Sequence, residues 1–163
     1  MFGFVRLRKI LRGRFRLWGV VVARPHGFQE FIKKQGFHSL YLVTTDTNSP
    51  VKVGIAANPV HRLGDLQSAN FVELHIYRYW WMPGRRITAR IESAFKDHFR
   101  SRNVRGEWFD LPLPTAEAFI ETSIRSLGTW GVRQYDLVEF MDHRERQKYH
   151  LPPDAPTPLR GVA

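Results

Sequence analysis

Apolar residues recur along this chain with two periods, and the switch between them marks its elements. His38–Thr45 and Val51–Ala56 are short runs rich in branched and aromatic residues. Between them lies Asp46–Pro50, a stretch of turn formers, so the pair predicts a β-hairpin. Asn58-Pro59 follows, a good N-cap residue before the residue best suited to the first helical position, and predicts a helix running to about Ala69. Val72–Trp81 reads as a third strand with four aromatics, broken by Pro83-Gly84. Arg85–Ser101 carries the strongest helical period, and Gly106–Leu111 reads as a short extended or turn segment. Thr115–Leu127 is a further helix, with Ala116, Phe119, Ile120, Ile124 and Leu127 on one face and Gly128 as its stop. Weaker patterns predict a short helix at Phe28–Lys34 and a charged surface helix at Tyr135–Tyr149.

These elements predict an α/β domain: a small three-stranded, mainly antiparallel sheet flanked by helices. Its expected span is residues 37–113, followed by a helical extension over 114–150. Residues 151–163 contain four prolines and are expected to be a disordered tail. Residues 1–25 form a basic arm. A chain of 163 residues suffices for one domain with a real core plus such extensions. With no cysteine there is no disulfide framework and no thiolate metal site.

Charge changes the picture. The chain carries a formal +10, and Arg6, Arg8, Lys9, Arg12, Arg14, Arg16 and Arg24 supply seven of those charges with no acid before Glu30. The rest of the chain is therefore only mildly basic, at +3. A basic arm of this kind meets phosphate, in nucleic acid or at an anionic membrane surface. Phe4, Leu7, Ile10, Leu11, Phe15 and Trp18 are spaced mostly by three and four, which leaves an interfacial amphipathic helix as an alternative. A targeting segment is a third reading, although Leu17–Ala23 is a short apolar run and Arg24-Pro25 a poor cleavage site. No run approaches the ~20 apolar residues of a membrane span, so no stable insertion is expected and a cytoplasmic location fits.

The Arg85–Ser101 pattern holds an anomaly. At ~100° per residue, Thr88, Ile91, Phe95, His98 and Phe99 share one face, and so does Glu92. A carboxylate at the rim of an apolar stripe is costly unless it is paired or bound to a metal. On periodicity alone the plainer account is better: a Glu92–Lys96 pair at i, i+4. His98 reads as a satisfied core histidine rather than a ligand. Arg62 alone is an ordinary solvated arginine and Tyr41 an ordinary strand aromatic. Trp80 and Trp81 have the chemistry to stack bases, but most strand aromatics are core.

Order and spacing alter that balance. Ser39-Leu40-Tyr41 lies in strand one and Lys52-Val53-Gly54 in strand two. Arg62 follows eight residues later in RLGDLQSAN, Glu92 sits in IESAFKDHF, and GEWFDL spans Gly106 to Leu111. This series resembles the GIY-YIG nuclease superfamily, and within it the phage-associated branch that includes the domain named after a meiotically up-regulated gene. The resemblance covers about Phe37 to Leu113. It departs from the superfamily pattern at Lys52, which stands where the second triplet has tyrosine, and in lacking a clear late asparagine, for which Asn103 is a loose candidate.

The resemblance implies a function. It makes the chain an endonuclease that hydrolyses phosphodiester bonds in nucleic acid, DNA in the first instance, with one divalent ion, Mg2+ or Mn2+. Glu92 matches the metal ligand, Arg62 the residue that holds the scissile phosphate, and Tyr41 the residue that activates or positions the attacking water. Lys52 either contacts phosphate or helps deprotonate the nucleophile. The chemistry is coherent. A hard cation takes carboxylate and phosphate oxygens while keeping several waters, and a guanidinium forks onto phosphate. A phenol, ordinarily near pKa ~10, is a poor base at neutral pH unless cations lower that value. The basic arm, through Arg6, Arg8, Lys9, Arg12, Arg14 and Arg16, is expected to add phosphate contacts. The competing expectation is a nucleic-acid-binding module that kept the fold without cleavage. Oligomeric state is not legible from the chain.

Overall fold

The computed structural model describes residues 27–148. The basic arm and the proline-rich tail lie outside the described residues. Twelve elements follow in order: α1 (Phe28–Gln35), β1 (His38–Thr44), β2 (Val51–Ala56), α2 (Pro59–Ser68), β3 (His75–Met82), α3 (Arg85–His98), a 3-10 turn (Arg100–Arg102), β4 (Asn103–Arg105), β5 (Trp108–Phe109), α4 (Leu113–Ser126), β6 (Val132–Arg133) and α5 (Gln134–Lys148).

The sheet has six strands in the order β4-β5-β2-β1-β3-β6, and every pairing is antiparallel. The expected three strands are its centre, so the expectation of a three-stranded sheet is corrected to six. The added strands are two or three residues long, too short to display the alternation that reveals a strand in sequence.

The β1 strand is buried along nearly its whole length because both faces of the sheet are covered. Leu40 and Leu42 point to one face. There they join Val51, Val53, Trp80 and Met82 beneath Ile91 and Phe95 of α3 and Ala116, Ile120 and Ile124 of α4. Tyr41 and Val43 point to the other, packed with Leu63 of α2, Leu74 and Ile76. Trp81 also joins Phe28 and Ile32 of α1 and Leu137 of α5. The result is a helix–sheet–helix sandwich whose core runs on through α4, past residue 113. Each fully buried Leu or Phe side chain contributes about 1.5–3 kcal/mol.

Local signals set the ends of the elements. Asn58 caps α2 as its sequence suggests, with Oδ1 accepting from the His61 amide at 3.2 Å. Gly36 ends α1 in the left-handed conformation, at φ 68°. Trp80 and Trp81 are buried, so they are core residues and not platforms for bases. His98 corrects another expectation. It is exposed at the end of α3, its ring packed 4.7 Å from those of Phe99 and Phe119, so it is not a core histidine.

Candidate active site

Tyr41 sits mid-strand on β1, opposite Gly54 of β2. Its phenol ring passes directly over that glycine. A Cβ built on Gly54 would fall 2.5 Å from the Tyr41 Cζ, and closer still to the phenol oxygen. Gly54 is therefore the residue that lets the ring cross the neighbouring strand. On the same face of β2, two residues earlier, stands Lys52. Its side chain is only 7% exposed, and its Nζ forms an ion pair with Glu107 Oε2.

Glu107 lies in the turn between β4 and β5, where Lys52 pairs with Trp108 across the ladder. Its second oxygen accepts from Lys96 Nζ of α3 at 2.7 Å. Lys96 Nζ also lies 3.2 Å from Glu92 Oε1, one helical turn earlier. A chain of alternating charge thus runs Lys52–Glu107–Lys96–Glu92 and joins β2, the β4–β5 turn and α3. The i, i+4 pair that periodicity favours is present, and it is a link in this larger network. The β4–β5 turn is itself braced by Asn103, whose side-chain amide donates to the Gly106 carbonyl at 2.7 Å and to the Trp108 carbonyl at 3.2 Å.

Arg62 comes from α2. Its guanidinium is half exposed and near Asp65, at 3.8 Å, and it interacts with the Tyr41 phenol. Burial pushes the Tyr41 hydroxyl above its ordinary value. Arg62 opposes that rise, while the Glu107 and Glu92 carboxylates add to it. Arg62 thus acts in the lowering direction, but in the protein alone burial outweighs it. Glu107 moves the other way. Burial alone would raise it, but hydrogen bonds and charge from Lys52 and Lys96 outweigh burial and hold it below the usual carboxylate range. Lys96 is held above its ordinary value. Partial burial works against that rise, and Glu107 and Glu92 overcome it.

Tyr41, Lys52, Arg62 and Glu92 therefore lie in one cluster, although they come from two strands and two helices. Sequence reasoning missed the role of Glu107. Its signal in sequence is the string GEWFDL, in which no single side chain stands out.

Glu92 is mostly buried, its side chain 14% exposed, with Oε1 turned to Lys96. A carboxylate of this kind fits a hard divalent cation such as Mg2+, which needs few protein ligands and keeps several waters. A different group of metal-ligand type lies at the far end of β1. Ligand atoms of Asp46, Glu73 and His75 fall within 4.8 Å of one another, and His75 Nε2 is 2.6 Å from Asp46 Oδ1. Its imidazole suits a softer ion than magnesium. A groove of about 770 Å³ lies elsewhere, lined among others by Asn48, Tyr77, Phe99, Arg102 and Asp110. It contains none of the cluster residues.

Fold and cluster together define an antiparallel α/β domain with a half-open polar site against its sheet. A model of the T5orf172 domain family matches residues 38–124, just over half of the chain, and the protein belongs to that family. The domain occurs in phage and nuclease-like proteins. No curated protein and no solved structure matched significantly. Among the described residues, no helix is long and apolar enough to cross a membrane.

Proposed function

We propose that this domain is a divalent-metal-dependent endonuclease of GIY-YIG type that hydrolyses phosphodiester bonds in nucleic acid, with DNA as its substrate. One observation carries the reading. Tyr41, Lys52, Arg62 and Glu92 are far apart in sequence yet meet in one cluster. The T5orf172 family supports it by its occurrence in nuclease-like proteins.

Each side chain has a part that its surroundings suit. Arg62 is half exposed, so its fork can reach phosphate oxygens, bidentate and planar as lysine is not. Tyr41 is a buried phenol with a raised pKa, so at neutral pH it acts as a neutral hydroxyl that orients water rather than as a phenolate. Lys52 supplies positive charge on the same face. Glu92 would hold the cation, with water completing its shell. When bound, such an ion acts as a Lewis acid on the phosphoryl oxygen.

The ion pairing of Glu92 with Lys96 favours a second reading: a binding module whose carboxylate is committed to a lysine. One experiment separates the two. The full chain is incubated with plasmid and with single-stranded DNA, with Mg2+, with Mn2+ and with chelator, alongside Glu92→Gln. Expected is metal-dependent cleavage that Glu92→Gln abolishes while its circular dichroism stays that of the wild type. Equal cleavage by variant and wild type would remove Glu92 from the chemistry. DNA binding without cleavage under every ion would favour the module.

A further inference from the structure

Both oxygens of Glu107 are spent on lysines, one on Lys52 of β2 and one on Lys96 of α3. We infer that Glu107 is the positioning residue of this site: it fixes the Lys52 ammonium on the face of β2 that Tyr41 crosses and links it through Lys96 to Glu92. The inference rests on the nuclease reading for its kinetic consequence, but not for its geometry.

Three physical arguments carry it. First, Lys52 is the member of the cluster with the least freedom to find another partner. Its side chain is 7% exposed, and a buried ammonium without a counter-charge is strongly unfavourable. Lysine has a flexible four-carbon stem, so an ammonium is aimed only by what holds its end. Among the described ion pairs of Lys52, Glu107 is that hold. Second, Glu107 is placed by the backbone and not by chance rotation. It sits at the tip of a two-stranded turn that pairs with β2 at Lys52↔Trp108 and Val51↔Phe109, and the Asn103 amide ties that turn internally. Third, Glu107 reaches both halves of the cluster. Tyr41 senses its charge, and Lys96 carries the connection to Glu92. A surface ion pair would join two side chains. This carboxylate joins a strand, a turn and a helix at the site.

The arrangement also bears on what Lys52 does. A lysine whose end is held by a carboxylate in a mostly buried setting serves as fixed positive charge. It is suited to a phosphate oxygen or a developing negative charge, and less suited to taking a proton from water. Glu107 touches no reacting atom in this assignment and acts through Lys52.

The test is a double-mutant cycle on the full chain, using Glu107→Gln, Glu107→Asp, Lys52→Met and the Lys52→Met/Glu107→Gln pair. All are assayed below the unfolding range of the least stable variant. Glu107→Gln should lower the single-turnover cleavage rate by about 10²-fold, the scale of a misplaced catalytic group, with little change in DNA affinity. Glu107→Asp should recover part of the rate. In the double variant, Glu107→Gln should add almost nothing to the loss caused by Lys52→Met, because the two act as one unit. Losses that multiply independently would overturn the inference and leave Glu107 a structural ion pair.

A second readout needs no activity. The chain has six lysines, so side-chain 15N NMR resolves few ammonium signals, and Lys52→Met assigns one of them. In the wild type, the Lys52 ammonium protons should exchange slowly with water. Glu107→Gln should make that signal broaden into exchange, while Lys33 and Lys34 serve as exposed controls. An unchanged Lys52 signal in Glu107→Gln would overturn the positioning role. If the wild type proved not to cleave, the nuclease reading would fall while this NMR difference still decided the geometry.

Discussion

Tyr41 and Gly54 show how little of a site a single side chain explains. The tyrosine is buried because Val43, Leu63 and Ile76 surround it, yet its hydroxyl belongs to the polar cluster because the ring can lie across β2. That needs a residue without a Cβ opposite it, and Gly54 is that residue. Gly54→Ala should therefore displace a ring that is itself 2% exposed. Overpacking of this kind costs about 1–3 kcal/mol. The expected outcome is a lower urea midpoint together with a cleavage rate that falls more than DNA affinity does. A variant with wild-type stability and rate would mean that the ring relocates freely. In sequence, Tyr41 and Gly54 were legible as members of an ordered series. Their face-to-face contact was not, because it depends on the β1–β2 register.

The β4–β5 hairpin decides most of the cluster at the scale of elements. Its strands are too short to be stable alone. Pairing with β2, the Asn103 brace and the two ion pairs of Glu107 hold it. The lowered value of Glu107 gives this hold a pH dependence with a definite sign. A carboxyl whose pKa is lower folded than unfolded adds stability that is fully present above the unfolded value, near 4.5. That contribution is lost as pH falls through the lowered folded value. Urea midpoints of the wild type and Glu107→Gln should differ at pH 7. The gap should stay open to about pH 4.5 and close as the solution becomes more acid. A gap independent of pH would mean that the carboxylate charge does not hold the hairpin. From sequence this hairpin appeared only as a short extended segment: strands this short carry no period, and the pairing that makes them strands joins Val51 to Phe109, far apart along the chain.

For the molecule as a whole, charge is divided unevenly. Residues 1–24 hold +7 and the remainder +3, and truncation tests whether the arm and the sheet domain separate in function. Removing residues 1–24 should leave a folded domain, because the described elements begin at Phe28 and the buried apolar residues described run from Phe28 to Leu137. DNA affinity should fall about equally for all sequences, since phosphate contacts carry no base information. If about half of the arm's charges engage duplex DNA, the logarithmic salt slope should become shallower by roughly 3 units. A truncated chain with unchanged affinity and slope would exclude the arm as a nucleic-acid element. Vesicle binding lost on truncation, with DNA binding kept, would assign the arm to a membrane surface.

The sequence by itself determined the elements whose signal is local. Asn58-Pro59 starts a helix because cap chemistry acts within one turn, and Pro83-Gly84 ends a strand because backbone restriction acts at the residue. It also determined the apolar faces of α3 and α4, since periodicity is a property of a continuous segment. The candidate residues Tyr41, Lys52, Arg62 and Glu92 were legible through their order along the chain. Only the tertiary structure decided the rest: that the sheet has six strands, that α4 is part of its core, that burial outweighs Arg62 in setting the Tyr41 phenol, and that Glu107 joins two lysines. Each of these depends on groups brought together from distant segments. Burial, register and charge pairing exist only after the chain has closed on itself, and no local pattern encodes them.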